Sequence, residues 1–323
     1  MLKQRVEILL ATYRPNPNFL DLQLESLNNQ NYPDLFLQVR DDSADDQYYA
    51  MIETALALKI TAFSYELKRN EKNIGSNSTF ERLTLDAKGD WLAYCDQDDD
   101  WLPTKIATLV TLANQTNAVL AYSDLAIIDA KNHQTHASFR EMNPRLKHVQ
   151  GAGLFDFFLR RNSVTGCTML VRLDIAHKAL PFEKKFYVHD HWLALVASSL
   201  GIIAYHADPL IRYRIHDNNQ IGNSILQGIS DRDDYIRIRM QKEKETYLSL
   251  LNEKRFSDPE NRIIETKLTW VIARETFLKT PNPLTLIRMI SALPQDPQLV
   301  LFEIFIALAP KKIGSILLSR LQR

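Results

Sequence analysis

Short apolar runs alternate with stretches of helical period through the first two-thirds of the chain. Residues 6–11 (VEILLA) form an apolar run of the kind that predicts a buried parallel strand. Pro15 and Pro17 then break the chain, and Leu20, Leu24 and Leu27 follow at i, i+4 and i+7, which predicts an amphipathic helix. Residues 35–39 predict a second strand, 50–58 a helix and 61–67 a third strand. Asn73-Ile74-Gly75 predicts a turn, leading into a helix over 76–85 with Ser76 as its N-cap. Residues 91–95 predict a fourth strand, Pro103 suits the first turn of the next helix, and 118–124 predict a fifth strand. This order predicts an α/β fold with a doubly wound, mostly parallel sheet flanked by helices.

The pattern changes near residue 230. Residues 231–255 are long, charged and helix-favouring, and further helical segments follow, broken by Pro259, Pro281, Pro283, Pro294 and Pro297. We therefore expect an α/β domain over 1–225 and a helical C-terminal region over 226–323. With 323 residues the chain has room for both, and 45% hydrophobic with 24% charged residues is an ordinary globular balance.

Lys plus Arg and Asp plus Glu both number 39, so no basic excess points to a nucleic-acid partner. Cys95 and Cys167 are too few for a disulfide framework and lack zinc-site spacing; two reduced, buried thiols are expected. The first residues run straight into an apolar strand without a signal-peptide pattern. No segment approaches the ~18 apolar residues of a membrane span. The nearest, 299–309, is short and interrupted by Glu303, so a cytoplasmic protein is expected.

In a parallel sheet, ligands bind outside the carboxyl ends of the strands. Asp41-Asp42, Asn73 and the acidic stretch at 96–100 all follow predicted strands, so they are expected to gather on one rim. Asp96, Asp98, Asp99 and Asp100 lie within five positions and repel one another unless solvent or a cation relieves them. Such hard oxygen ligands suit Mg²⁺ or Mn²⁺, which can also hold a diphosphate. A calcium loop counted from Asp96 would need Gly and Glu where Trp101 and Ala107 stand. A solvated acidic turn remains open at this level. So do an Asx turn at Asp41-Asp42-Ser43, a first-turn helix acid at Asp190 and a structural role for His216.

The ordered set Ala11-Thr12-Tyr13, Asp41-Asp42-Ser43, Asn73-Ile74-Gly75 and Asp96-Gln97-Asp98-Asp99-Asp100-Trp101-Leu102-Pro103 resembles family 2 glycosyltransferases of the GT-A fold. Thr165-Gly166-Cys167-Thr168-Met169-Leu170-Val171-Arg172, His189-Asp190-His191-Trp192 and Tyr213-Arg214-Ile215-His216-Asp217-Asn218-Asn219 are similar to the rhamnosyltransferase branch that builds bacterial polysaccharides. The resemblance spans roughly residues 5–222. It implies that Ala11, Tyr13, Asp41, Asp42 and Asn73 line the nucleotide, with Asp96 turned toward the nucleotide sugar. It implies a Mn²⁺ or Mg²⁺ ion at Asp98, with Asp99 and His216 nearby. Asp190 matches the base, flanked by His189 and His191, either of which could share its role.

The implied reaction is inverting transfer of a sugar, L-rhamnose from dTDP-L-rhamnose or a hexose from a UDP-sugar, onto a hydroxyl of a cell-surface glycan or its lipid-linked precursor. A non-catalytic nucleotide-sugar binder has no need of Asp190. A nucleotidyltransferase would want a Gly-rich phosphate loop after the first strand, where residues 12–17 contain no glycine.

Residues 284–323 mix apolar stretches with Lys311, Lys312, Arg320 and Arg323, and Ile313, Ile316, Leu317 and Leu318 lie near one helical face. That pattern fits a peripheral helix on the cytoplasmic face of a membrane. It also fits a helix packed on the catalytic domain or on a second copy in a homo-oligomer.

Overall fold

The computed structural model describes residues 4–216, 228–290, 296–310, 313, 314 and 318. The chain divides into two compact units, Met1–Asp217 and Asn218–Arg323.

The first unit is built on the expected alternation. Strand β1 (Val6–Thr12) is followed by α1 (Pro17–Asn28), β2 (Leu35–Asp41), α2 (Asp46–Lys59), β3 (Ser64–Arg69), α3 (Ser76–Asp86) and β4 (Trp91–Cys95). A two-residue strand β5 (Asp100–Trp101) precedes α4 (Lys105–Thr116), β6 (Ala118–Ile128) and β7 (Gln134–His136). Short helices α5 (Phe139–Met142) and α6 (Phe155–Phe158) lead to β8 (Met169–Arg172), α7 (Leu173–Lys178), α8 (His189–Leu200) and β9 (Ile202–Arg214).

Local chemistry sets several boundaries. Asn16 caps α1 by accepting the Asn18 and Phe19 amides, with Pro17 in the first turn. Helix α2 starts earlier than its apolar pattern, because Asp45 accepts the Gln47 amide at 2.8 Å. The cap position of α3 is held by Gly75 and not Ser76: φ there is 81°, which glycine adopts without strain, and Ser76 makes no cap bond. Pro103 falls outside α4, where the Lys105 amide closes a turn on the Leu102 carbonyl.

The strands form one mixed sheet in the order β3-β2-β1-β4-β8-β6-β9-β5, with β7 on the flank of β6. β1 pairs in parallel with β2 and β4, β2 with β3, and β6 with β9. β8 enters between β4 and β6 antiparallel to both. Two antiparallel steps cancel, so β1, β2, β4, β6 and β9 all point the same way. Their carboxyl ends therefore share one rim. All five residues of β4 and all eleven of β6 are buried, the burial expected of strands covered on both faces. Edge strand β3 carries Glu66, Lys68 and Arg69, charges that discourage pairing with another chain.

The second unit is helical among its described residues. A short α9 (Arg232–Asp234) runs through a π-helical turn, Tyr235–Met240, into α10 (Gln241–Glu253), followed by α11 (Asp258–Lys279), α12 (Pro283–Ile290) and α13 (Pro297–Leu308). Its core includes Ile229, Tyr235, Met240, Trp270, Phe277, Leu278, Met289, Val300 and Ile306. Glu303, the charge that interrupts the apolar run, is fully buried and bonded twice by fully buried Arg274, at 2.8 and 2.5 Å. Tyr235 donates to Glu303 at 2.7 Å, and Arg274 also reaches Glu243 at 3.0 Å. Each charge thus has the partners that burial demands. No helix among the described residues is long and apolar enough to cross a membrane.

Candidate active site

Strand register places the chemistry. Thr12 lies opposite Asp41, and Leu10 opposite Cys95. The residues that follow, Tyr13, Asp42 and Asp96, consequently emerge side by side on the shared rim, together with His216 after β9. Ala11, one step back on β1, is half-buried.

The Asp41 and Asp42 carboxylates are buried; protein donors hold both oxygens of Asp42 but only Oδ1 of Asp41, whose Oδ2 has no hydrogen-bond partner among the described residues. Asp41 accepts from the Thr12 hydroxyl at 3.0 Å and the Ser43 hydroxyl at 2.6 Å, and Ser43 in turn accepts the Arg14 amide at 2.8 Å. Asp42 accepts from Asn70 and from the Ile74 amide, each at 2.9 Å, and from the Gly75 amide at 2.8 Å. This pair therefore pins the loop after β1 and the turn before α3. Tyr13 and Asn73, held by that framework, are exposed. Gln97, the middle residue of Asp96-Gln97-Asp98, clamps Tyr13 by accepting its amide at 2.8 Å and donating to its carbonyl at 3.2 Å. The sequence carried no separate signal for Gln97, Ser43 or Asn70.

The acidic segment divides into an inner and an outer part. Asp99 is fully buried and accepts the Arg214 amide at 3.1 Å. Asp96, Asp99 and the Cys167 thiol each offer one donor atom within 4.8 Å of the others. Burial, then Asp98 and Asp190, push the Asp96 carboxyl up to about 7; burial, then Asp98 and Asp96, push Asp99 well above the usual range. Burial likewise raises Cys167, which stays a protonated thiol and a poor partner for a hard cation. Behind them Lys105 is fully buried with its ammonium over the Trp101 ring, and burial lowers it to about 7. Cys95 and Cys167 are both buried and free.

The outer part is Asp98 and His216, joined at 2.8 Å with each side chain 17% exposed. Arg214 supports them: it donates to the Asp98 carbonyl at 2.8 Å and lies over the Phe19 ring. Asp100 is drawn away to Arg212 at 2.8 Å. Carboxylate oxygens crowded against too few protein cations, with an imidazole at their exposed edge, fit a divalent cation such as Mn²⁺ or Mg²⁺.

Asp190 stands in the first turn of α8. Asn77 fixes that turn by accepting the His189 amide and donating to the Tyr187 carbonyl. The Asp190 carboxylate accepts from Asn162 at 3.1 Å, from the Gly166 amide at 3.1 Å and from the His191 amide at 2.5 Å. Burial nonetheless raises it to about 6. Gly166, whose amide it accepts, adjoins Cys167, and the Cys167 thiol lies within 4.8 Å of Asp96 and Asp99, so the base candidate stands next to the acidic segment.

The two flanking histidines are both neutral. His191 donates from Nε2 to the Phe158 carbonyl and stays neutral, burial lowering it to about 4. His189 stacks on Phe80 with ring centroids 4.2 Å apart, and burial lowers it to about 3.

Gly166 lets that ring approach, since a Cβ there would meet His189 Nε2 at 2.6 Å. Gly166→Ala is expected to cost about 1–3 kcal/mol through overpacking. It should show as a lower melting temperature by scanning calorimetry, and an unchanged value would mean that the ring yields freely.

The chain belongs to glycosyl transferase family 2, whose family model matches residues 8–176. It is 24% identical over 226 residues to an uncharacterised glycosyltransferase of Rickettsia typhi, covering 69% of this chain and 67% of that one. It is 25% identical over 236 residues to the dTDP-rhamnosyl transferase RfbG of Shigella flexneri, covering 67% and 74%. Among solved structures, S. aureus TarS 1–349 aligns with a TM-score of 0.56 at 14% identity, over 98% of this chain and 89% of that one. The mannosyltransferase PcManGT from Pyrobaculum calidifontis, in complex with GDP-Man and Mn²⁺, aligns with a TM-score of 0.55 at 14% identity, over 99% and 85%. The fold is of the GT-A type shared by these glycosyltransferases.

Proposed function

We propose that the protein is a metal-dependent, inverting glycosyltransferase that moves L-rhamnose from dTDP-L-rhamnose to a hydroxyl of a cell-surface polysaccharide or its lipid-linked precursor in the cytoplasm. The observation that carries this reading is the proximity of Asp190 to the acidic segment: Asp190 accepts the Gly166 amide, and the adjacent Cys167 lies within 4.8 Å of Asp96 and Asp99. RfbG, named as a dTDP-rhamnosyl transferase, supports the choice of sugar. PcManGT with GDP-Man and Mn²⁺, and TarS with UDP-GlcNAc, support a nucleotide-sugar donor.

Tyr13, Asn73 and Ala11 offer surface to the base and ribose, on a rim fixed by Asp41 and Asp42. Asp96 faces the donor sugar. Asp98 and His216 would hold Mn²⁺ or Mg²⁺, with Asp99 behind them, and a bound ion would offset the charge on the leaving diphosphate. The acceptor oxygen bonds to the anomeric carbon as the bond from that carbon to the diphosphate oxygen breaks. Asp190 takes the hydroxyl proton, and the nucleoside diphosphate leaves with the bonding pair. Attack opposite the leaving group inverts the anomeric centre.

Titration calorimetry with dTDP-rhamnose, UDP-sugars and GDP-sugars, with and without Mn²⁺, tests the donor. Metal-dependent preference for dTDP-rhamnose is expected. Preference for a UDP-sugar would keep the enzyme class and discard rhamnose, and binding of none would overturn the reading.

A further inference from the structure

Helix α3 holds two parts of the site at once. At its start, the Ile74 and Gly75 amides donate to Asp42, so the turn that presents Asn73 is pinned to the rim after β2. Along one side of the helix, Asn77, Phe80, Glu81 and Thr84 follow at i, i+3, i+4 and i+7. All four meet the chain that runs from α7 into α8. The Thr84 carbonyl accepts from His177 Nε2 at 3.0 Å. Glu81 accepts the Phe182 amide and pairs with Lys184 at 2.8 Å. Phe80 lies against the His189 ring. Asn77 donates to the Tyr187 carbonyl at 2.9 Å and accepts the His189 amide at 2.8 Å.

The Asn77 contacts fill a gap in α8. A helix leaves its first N–H groups without partners, and a Ser, Thr, Asp or Asn at the N-cap position ordinarily accepts one of them. In α8 that position is Val188, which has no side-chain acceptor and makes no cap bond. Asn77 supplies the acceptor from another helix, 112 positions before His189. Asp190 is the next residue of the same turn. Asn162 and the Gly166 amide orient its carboxylate, whereas Asn77 sets the backbone that carries it. We infer that Asn77 is the positioning residue of Asp190: by capping α8 from α3, it fixes the base relative to the rim on which α3 itself begins. The inference rests on the reading of Asp190 as the base.

The test is made on the full chain. Asn77→Ala should lower kcat by about 10–100-fold, the effect of a displacement near 1 Å at a reacting group, and leave donor affinity within about twofold. Asn77→Ser, too short for both partners, should show the same fall. Asn77→Asp keeps an acceptor for the His189 amide and loses only the donor to Tyr187, so it should recover most of the rate. Hydrogen exchange over residues 187–193, read by mass spectrometry without donor, should quicken by about five- to tenfold in Asn77→Ala and much less in Asn77→Asp. In a cycle with Asp190→Asn, the double variant should turn over within about twofold of Asp190→Asn alone, because a misplaced base costs nothing once the base is gone. A general loss of folded protein would multiply the two effects instead. The inference falls if Asn77→Ala and Asn77→Ser keep the wild-type kcat, if donor affinity falls in parallel with it, or if exchange over 187–193 is unchanged. Near-normal turnover of Asp190→Asn would overturn the base reading and this inference with it. Multiplying losses, with Asp190→Asn itself crippled, would overturn this inference alone.

Discussion

Asp190→Asn should keep the nucleotide sugar and lose its transfer, with kcat down by about 10²–10⁴-fold, the usual contribution of a positioned general base. The substitution is nearly isosteric, and an amide oxygen can still accept the Gly166 amide that now bonds Asp190 at 3.1 Å. The disappearing function is proton acceptance. In the wild type, burial holds the carboxyl at about 6, so the ionised base dominates above that pH. The sign is then fixed: kcat/KM should fall about tenfold per pH unit below 6 and level off above it. The residual activity of the Asn variant should lose that limb. Single-turnover rates over a pH series, beside calorimetric donor affinity, separate the two effects. Near-normal turnover of Asp190→Asn would place the base elsewhere, and a parallel loss of donor affinity would make Asp190 a scaffold residue.

What the sequence could reveal follows from the range of each interaction. Four of the first five apolar runs give strands close to their observed bounds, because a strand buried on both faces must be continuously apolar. The third run is shifted to Ser64–Arg69, an edge strand whose charged half looks like a loop. β8 escaped notice as a strand: four residues, Met169–Arg172, give no period, and their antiparallel insertion depends on neighbours far away in sequence. The same limit applies to the site. Asp96–Asp100 and Asp190 are visible as chemistry, but nothing local shows that Asn162 and Gly166 orient Asp190 across 28 and 24 residues. Asp41 and Asp42 are legible as rim residues, whereas their bonds to Thr12, Ser43, Asn70 and two backbone amides appear only once β1, β2 and the turn before α3 are brought together. Glu303 is the reverse case, a charge in an apolar run that looks like an interruption until Arg274 is found beside it.

Asp98→Ala should lower kcat/KM by about 10³-fold, since a divalent ion at a leaving diphosphate supplies several kcal/mol and each 1.36 kcal/mol is a decade. Asp98 is partly exposed and has two features absent from its neighbours, a 2.8 Å link to His216 and a backbone carbonyl fixed by Arg214. Asp99 is fully buried, and Asp100 is engaged by Arg212. His216→Ala should cost less, about 10–100-fold, because the carboxylate supplies most of the charge and the imidazole mainly completes and orients the site. The decisive comparison is a cycle. Chelation should reduce the wild type to the level of Asp98→Ala, restorable by Mn²⁺ or Mg²⁺, and should leave Asp98→Ala almost unchanged, because two removals of one interaction do not add. Full wild-type activity in excess chelator would remove the ion from the reaction. The acidic segment would then have to tolerate its crowded carboxylates by protonation, which the raised Asp96 and Asp99 already favour in the absence of a cation.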